Sequence, residues 1–262
     1  MDNRFSFYRE YLGVRNMAFK NGVDEVYSSL LEDYNAYISL SKNLIETLGV
    51  KDNCLLNAWI AKKLILIGTF SYNSKFTRRM DAKDVLPYMS GVNIVDGFGS
   101  HKHICEFMFD IVPGLGVFPC VMLESRNKQM GLIEDVNYMV NIVNHNGVYY
   151  GFDAYNHGNL YKFINEYEML PIDEEKSGYM HYKPYCEISN YGKSFEDVRR
   201  LLEMYKESSG MNTITKEEYT EIIRTAISNI QTNMGMIQDF TCVAKEPIDR
   251  IKKKIKEIKI NR

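Results

Sequence analysis

The stretch Asn137–Asn156, NYMVNIVNHNGVYYGFDAYN, decides the fold. Two runs rich in Val, Ile and Tyr flank the pair Asn146-Gly147. Asn-Gly favours the positive φ angles of a type I′ turn, whose twist matches that of the strands it joins. The stretch is therefore expected to form a β-hairpin with a two-residue loop. His145 then faces Val148, Val143 faces Tyr150, Asn141 faces Phe152 and Val140 faces Asp153. Side chains alternate faces along a strand, so Tyr138, Val140 and Asp153 share one face. A carboxylate among strand hydrophobics is partly buried and needs a partner.

Working outward, the 262 residues suffice for one large domain or a domain with a helical annex. A 45% hydrophobic and 25% charged composition is that of an ordinary soluble globular chain. The formal net charge of -2 lacks the basic excess of a nucleic-acid binder. The charged, aromatic start MDNRFSFYREYLG is not a secretory signal. No apolar run approaches the roughly 18 residues that a membrane helix needs. The five cysteines, Cys54, Cys105, Cys120, Cys186 and Cys242, are odd in number and show no CxxC spacing. They are expected to be reduced thiols in a cytoplasmic protein without a structural metal.

Residues 1–50 are expected to form an N-terminal helical wrap, with apolar positions at helical spacing from Asp24 to Leu48 and Gly49 as the stop. Asp52-Asn53 caps a buried helix from Cys54 to Gly68. Asp81–Met89 carries a short helical pattern, Gly91–Gly99 reads as a loop, and His101–Val112 is an amphipathic helix closing at Pro113-Gly114. Phe118–Glu124 reads as a strand. Beyond the hairpin, a short helix is expected over Leu160–Met169, and residues 171–193 read as irregular. Ser194 and Thr215 open further helices, the second with Glu218 in the capping-box position and an end near Met236. In the last segment Ile248, Ile251, Ile255 and Ile258 form one stripe beside a lysine-rich face. Packing of that stripe on the body is preferred over contact with a membrane surface or partner.

A helix, strands, a hairpin and an aspartate on its second strand form the layout of papain-like α+β folds. The chain specifically resembles the transglutaminase-like superfamily over about residues 55–158. In that family a Gly-Val-Cys-Arg-His type segment opens a helix, a Gly-Ile-Pro strand follows, and a His-x-Trp-Asn strand turns back into a Trp-Tyr-x-x-Asp strand. Here Gly99-Ser100-His101-Lys102-His103 opens the helix and Leu115-Gly116-Val117-Phe118-Pro119 leads into the strand. Tyr138-Met139-Val140-Asn141 starts the hairpin and Tyr149-Tyr150-Gly151-Phe152-Asp153 returns. The resemblance implies an α+β fold with a transglutaminase/papain-like core over 51–170, and a lid loop and C-terminal helices over 171–262.

The departures bear on chemistry. The nucleophilic cysteine's place holds His101, or Ser100 in a register one residue earlier, and the general base's place holds Tyr138. Asp153 matches the residue that orients that base. A replacement nucleophile comes from Cys105, one helical turn past His101, or from Cys54 at the start of its buried helix; each also suits plain packing. His101, Tyr138 and Asp153 together suit acid–base work or polar binding. Ser100, His103 and His157 are candidate substrate-binding groups. A metal held by His101 and His103 is disfavoured, because helix positions two apart point about 200° from each other. His145, at the hairpin tip, lies on the order of 16 Å from Asp153, too far for a base and its orienting group. His181 sits in the tyrosine-rich stretch read as a lid. The implied function is acyl transfer on a peptide, small-molecule or carrier-protein substrate, forming or cleaving an amide or thioester without a cofactor. The alternative is a catalytically silent domain binding a peptide or protein partner in the former cleft.

Overall fold

Asn146 and Gly147 have φ of 52° and 83°, and the hairpin closes around them in the expected register. His145 pairs with Val148, Val143 with Tyr150 and Asn141 with Phe152. The computed structural model describes residues 25–70, 90–95, 101–125, 136–155, 158–165, 168–173, 180–184, 203 and 206–260. The elements are α1 (Glu25–Leu48), α2 (Cys54–Leu66), α3 (Ser90–Val95), α4 (His101–Ile111), β1 (Gly116–Ser125), β2 (Val136–His145) and β3 (Val148–Asp153). They continue with β4 (Asn159–Asn165), β5 (Glu168–Pro171), β6 (Met180–Pro184), α5 (Lys216–Thr232) and α6 (Met234–Ile260). The chain is an α+β protein. Each strand pairs antiparallel with the next, and β6 returns to β1, so the sheet is a closed barrel.

Three expectations are corrected. Residues 160–169, read as a helix, form β4 and the start of β5. Leu160-Tyr161 and Phe163-Ile164 satisfy either period over so short a run. Pairing with the open edge of β3 decides between them, with Asp153 opposite Asn159 and Phe152 opposite Leu160. Residues 91–95, read as loop, are helical and buried. A Cβ on Gly91 would lie 2.7 Å from Tyr34 and 2.8 Å from Phe107, so this glycine marks close packing, not a turn. Residues 180–184, read as part of an irregular lid, form the strand that closes the barrel, with His181 opposite Glu124. The expected helices at Asp81–Met89 and from Ser194 fall largely outside the described residues.

The helices follow their caps. In α2 the Asn53 side chain accepts from the Leu56 backbone N–H at 3.1 Å, and α1 ends where Gly49 N–H donates to Ile45 O. Helix α2 is buried almost all round. Thr215 and Glu218 exchange the two hydrogen bonds of a capping box, 3.1 and 2.8 Å, at the start of α5. That helix stops at Thr232, short of the expected Met236, and α6 begins two residues later. Replacing Thr215 by Ala is expected to lower stability by about 1 kcal/mol in urea unfolding, since one first-turn N–H loses its acceptor.

The isoleucine stripe packs on the body. Ile248, Ile251 and Ile255 of α6 are buried in the core that holds Leu30 and Tyr37 of α1. Asp33 of α1 accepts from Arg250 Nε at 2.8 Å and from Lys254. No helix among the described residues is long and apolar enough to cross a membrane.

Candidate functional site

The strand register sorts the barrel's side chains into two sets. Val143, Val148, Tyr150 and Phe152 join the helical core. Phe152 meets the Trp59 ring of α2 edge-on at 5.8 Å, and the Tyr150 hydroxyl accepts from Ile214 N at 2.9 Å. Asn141 donates to the carbonyls of Cys105, 2.9 Å, and Gly116, 3.1 Å. This is the outer face, covered by helices. Alternation turns Val140, Ile142, Tyr149, Gly151 and Asp153 to the opposite face, and pairing adds Asn159 and Tyr161. In a closed barrel that face is the interior. Asp153 ends it, and its side chain is fully buried.

What gathers at this end of the barrel comes from far along the chain. Lys62 of α2 is only 5% exposed. Its Nζ stands 4.4 Å over the Trp59 ring centroid, a cation–π arrangement. Burial pulls the Lys62 ammonium down to about 8; neighbouring Lys63 lowers it further, and the charge of Asp153 acts in the opposite sense. Trp59 Nε1 donates to the Tyr219 hydroxyl of α5 at 2.9 Å, and that hydroxyl donates to Gly158 O. Burial pushes the Tyr219 phenol well up, with the charge of Asp153 acting in the same direction, so it stays a neutral donor. Gly158, at φ 72°, has no room for a Cβ: one would lie 2.8 Å from Trp59 and 3.0 Å from Lys62. Asn159, beside Asp153 in register, is 7% exposed, and its Nδ2 has no acceptor among the described residues.

The residues singled out from sequence are only partly brought to this place. The half-buried His101 ring meets that of Tyr155 at 6.3 Å, edge-on, so the leading end of α4 does lie by the end of β3. His103 is buried on α4. Cys105 is fully buried; its thiol donates to Met139 O at 3.2 Å and packs with Phe109, Val117 and Met139. Met139 belongs with Asn141 on the outer face, so Cys105 and Asp153 sit on opposite sides of the sheet. Cys54 starts α2, about 12 Å along the helix axis from Lys62. Some of its surface is exposed, yet apolar surroundings push its thiol up to about 12. Ser100, His157 and the Tyr138 side chain lie outside the described residues. No group of three or more His, Cys, Asp and Glu among the described residues could hold a metal.

Lys62, Trp59, Tyr219 and Asn159 were not singled out from the sequence. One signal was there: a lysine three residues after the single tryptophan, inside a helix expected to be buried. Its depressed pKa has a pH consequence. Below about 8 folded and unfolded chains both carry the proton on Lys62; between there and its ordinary 10.5 only the unfolded chain does. Stability from this group therefore rises with pH across that window, by up to about 3 kcal/mol. Cys54 and the buried tyrosines oppose it at high pH, so the measurement is the stability of the protein minus that of a Lys62→Met variant. That difference is expected to grow from pH 8 to pH 10. Comparison with family models, curated proteins and solved structures found no match.

Proposed function

We propose that the chain is a binding domain on a transglutaminase/papain-like scaffold. It takes a peptide or small-molecule ligand at the end of the barrel where Asp153, Lys62 and Tyr219 gather, without thiol chemistry. The order of elements supports the scaffold: a helix opened by His101, a strand, then a hairpin ending at Asp153, with helices against an antiparallel barrel. One observation carries the binding reading. Neither of the two core thiols among the described residues lies ready as a nucleophile beside Asp153: Cys105 packs on the other side of the sheet, and Cys54 is held protonated. Acyl transfer by a cysteine needs the thiolate.

The test is alkylation by iodoacetamide at neutral pH, followed residue by residue. Cys242 is exposed and serves as the internal reference. Cys54 and Cys105 are expected to react on the order of a hundredfold slower than in the unfolded chain. Any cysteine that reacts faster folded than unfolded overturns the reading.

A second reading keeps the scaffold and makes it an acyl-transfer enzyme working through His101, Tyr138 and Asp153. The His101 ring beside Tyr155, two residues past Asp153, is the observation in its favour. It requires that Tyr138→Phe abolish turnover of amide or thioester substrates, and retained turnover ends it.

A further inference from the structure

The surroundings of Lys62 Nζ are those of a stabilised cation in little water. The amine lies over the Trp59 ring, its stem runs against Gly158, and the charge of Asp153 is felt there. A protonated imine carries its positive charge on that same nitrogen. We propose that Lys62 is a carbonyl-capture site, forming a Schiff base with an aldehyde-bearing ligand held at this end of the barrel. With its pKa near 8, about one molecule in ten has a neutral, nucleophilic amine at pH 7. An exposed lysine at its ordinary pKa has fewer than about one in a thousand.

The atoms balance without any further reactant. The Nζ lone pair forms the C–N bond as the carbonyl π pair moves to oxygen. One nitrogen proton passes to that oxygen, giving a carbinolamine. The hydroxyl takes up the proton that the ammonium released on becoming nucleophilic and leaves as water, and the iminium carries the charge that the ammonium had over Trp59. Asn159 offers the carbonyl oxygen a donor, because its Nδ2 is buried without an acceptor among the described residues and it stands next to Asp153 in register.

The proposal deepens the binding reading by naming a ligand class, and the two can fail separately. The full chain is treated with propionaldehyde and cyanoborohydride at about pH 7.5, and labelled lysines are mapped by peptide mass spectrometry. Lys62 is expected to be alkylated at least about tenfold faster than exposed Lys51 and Lys245. Trp59, the only tryptophan, should change its fluorescence in step with that label. Labelling of Lys62 no faster than Lys51 in the folded chain overturns the proposal and leaves Lys62 as a buried amine over Trp59 alone. Slow thiols in the same sample would then leave the binding reading standing, whereas a fast thiol removes that reading and leaves a Lys62 label intact. Lys62→Arg keeps the cation and cannot form the imine. It should lose the fluorescence change, and a change that persists in it places the chemistry at another amine.

Discussion

Replacing Trp59 by Ala is expected to lower the stability of the protein by about 4 kcal/mol, read by circular dichroism in urea. Trp59 is 6% exposed and ties three elements together. Its ring meets Phe152 of β3 edge-on at 5.8 Å and lies under Lys62 Nζ, and its Nε1 holds the Tyr219 hydroxyl of α5. Truncation opens a cavity between α2 and the barrel, and it takes the π face from a buried amine. The Tyr219 hydroxyl loses a donor but keeps its bond to Gly158 O, so that part of the loss is small. Trp59→Phe separates the contributions. It keeps most of the ring and loses the indole N–H, and should cost about 1–2 kcal/mol. A Trp59→Ala loss no larger than the Phe loss would mean that the ring does not fasten α2 to the sheet.

The parts of this fold that could be read from sequence are those set by neighbours in the chain. Asn146-Gly147 fixes the hairpin register because two backbone conformations there leave no alternative pairing. Asn53, and Thr215 with Glu218, start α2 and α5 because the cap and the N–H it receives lie within three residues of each other. Leu160–Met169 could not be read this way. Its apolar spacing fits both periods, and the deciding factor is the free edge of β3, which exists only once the hairpin has formed. Gly91 was misread for a related reason: the demand for no side chain comes from Tyr34 and Phe107, on two other helices.

The candidate site divides along the same line. That Asp153 would be buried followed from counting back through the turn. Which group would balance it did not, because strand alternation shows that a carboxylate faces inward but says nothing of what closes over the barrel's end. The histidines and cysteines drew attention through their chemistry and the family likeness. A lysine inside an apolar helix, with no motif around it, drew none. It is the packing of α2 on β3, Trp59 against Phe152, that brings Lys62 from a helix residue into the field of Asp153.

That relation sets the second large effect. Asp153→Ala is expected to lower stability by about 3–5 kcal/mol, because it removes a fully buried carboxylate from the groups it is held by and takes from the buried Lys62 ammonium an opposite charge that acts on it, while Lys62→Met removes that same attraction from the carboxylate. The two losses should not add. With both residues replaced, their mutual attraction is lost once and not counted twice, and the double variant is expected to be more stable than the sum of the single losses predicts by about 1 kcal/mol. The coupling should also depend on pH. Above about 8 Lys62 is neutral in the folded chain, so removing Asp153 no longer takes an opposite charge from a cation, and the loss from Asp153→Ala should shrink as pH rises through that value. Urea unfolding of the four proteins at pH 7 and pH 9 measures both quantities. Additive losses at pH 7 would show that Asp153 and Lys62 are independent buried groups, each balanced by something else.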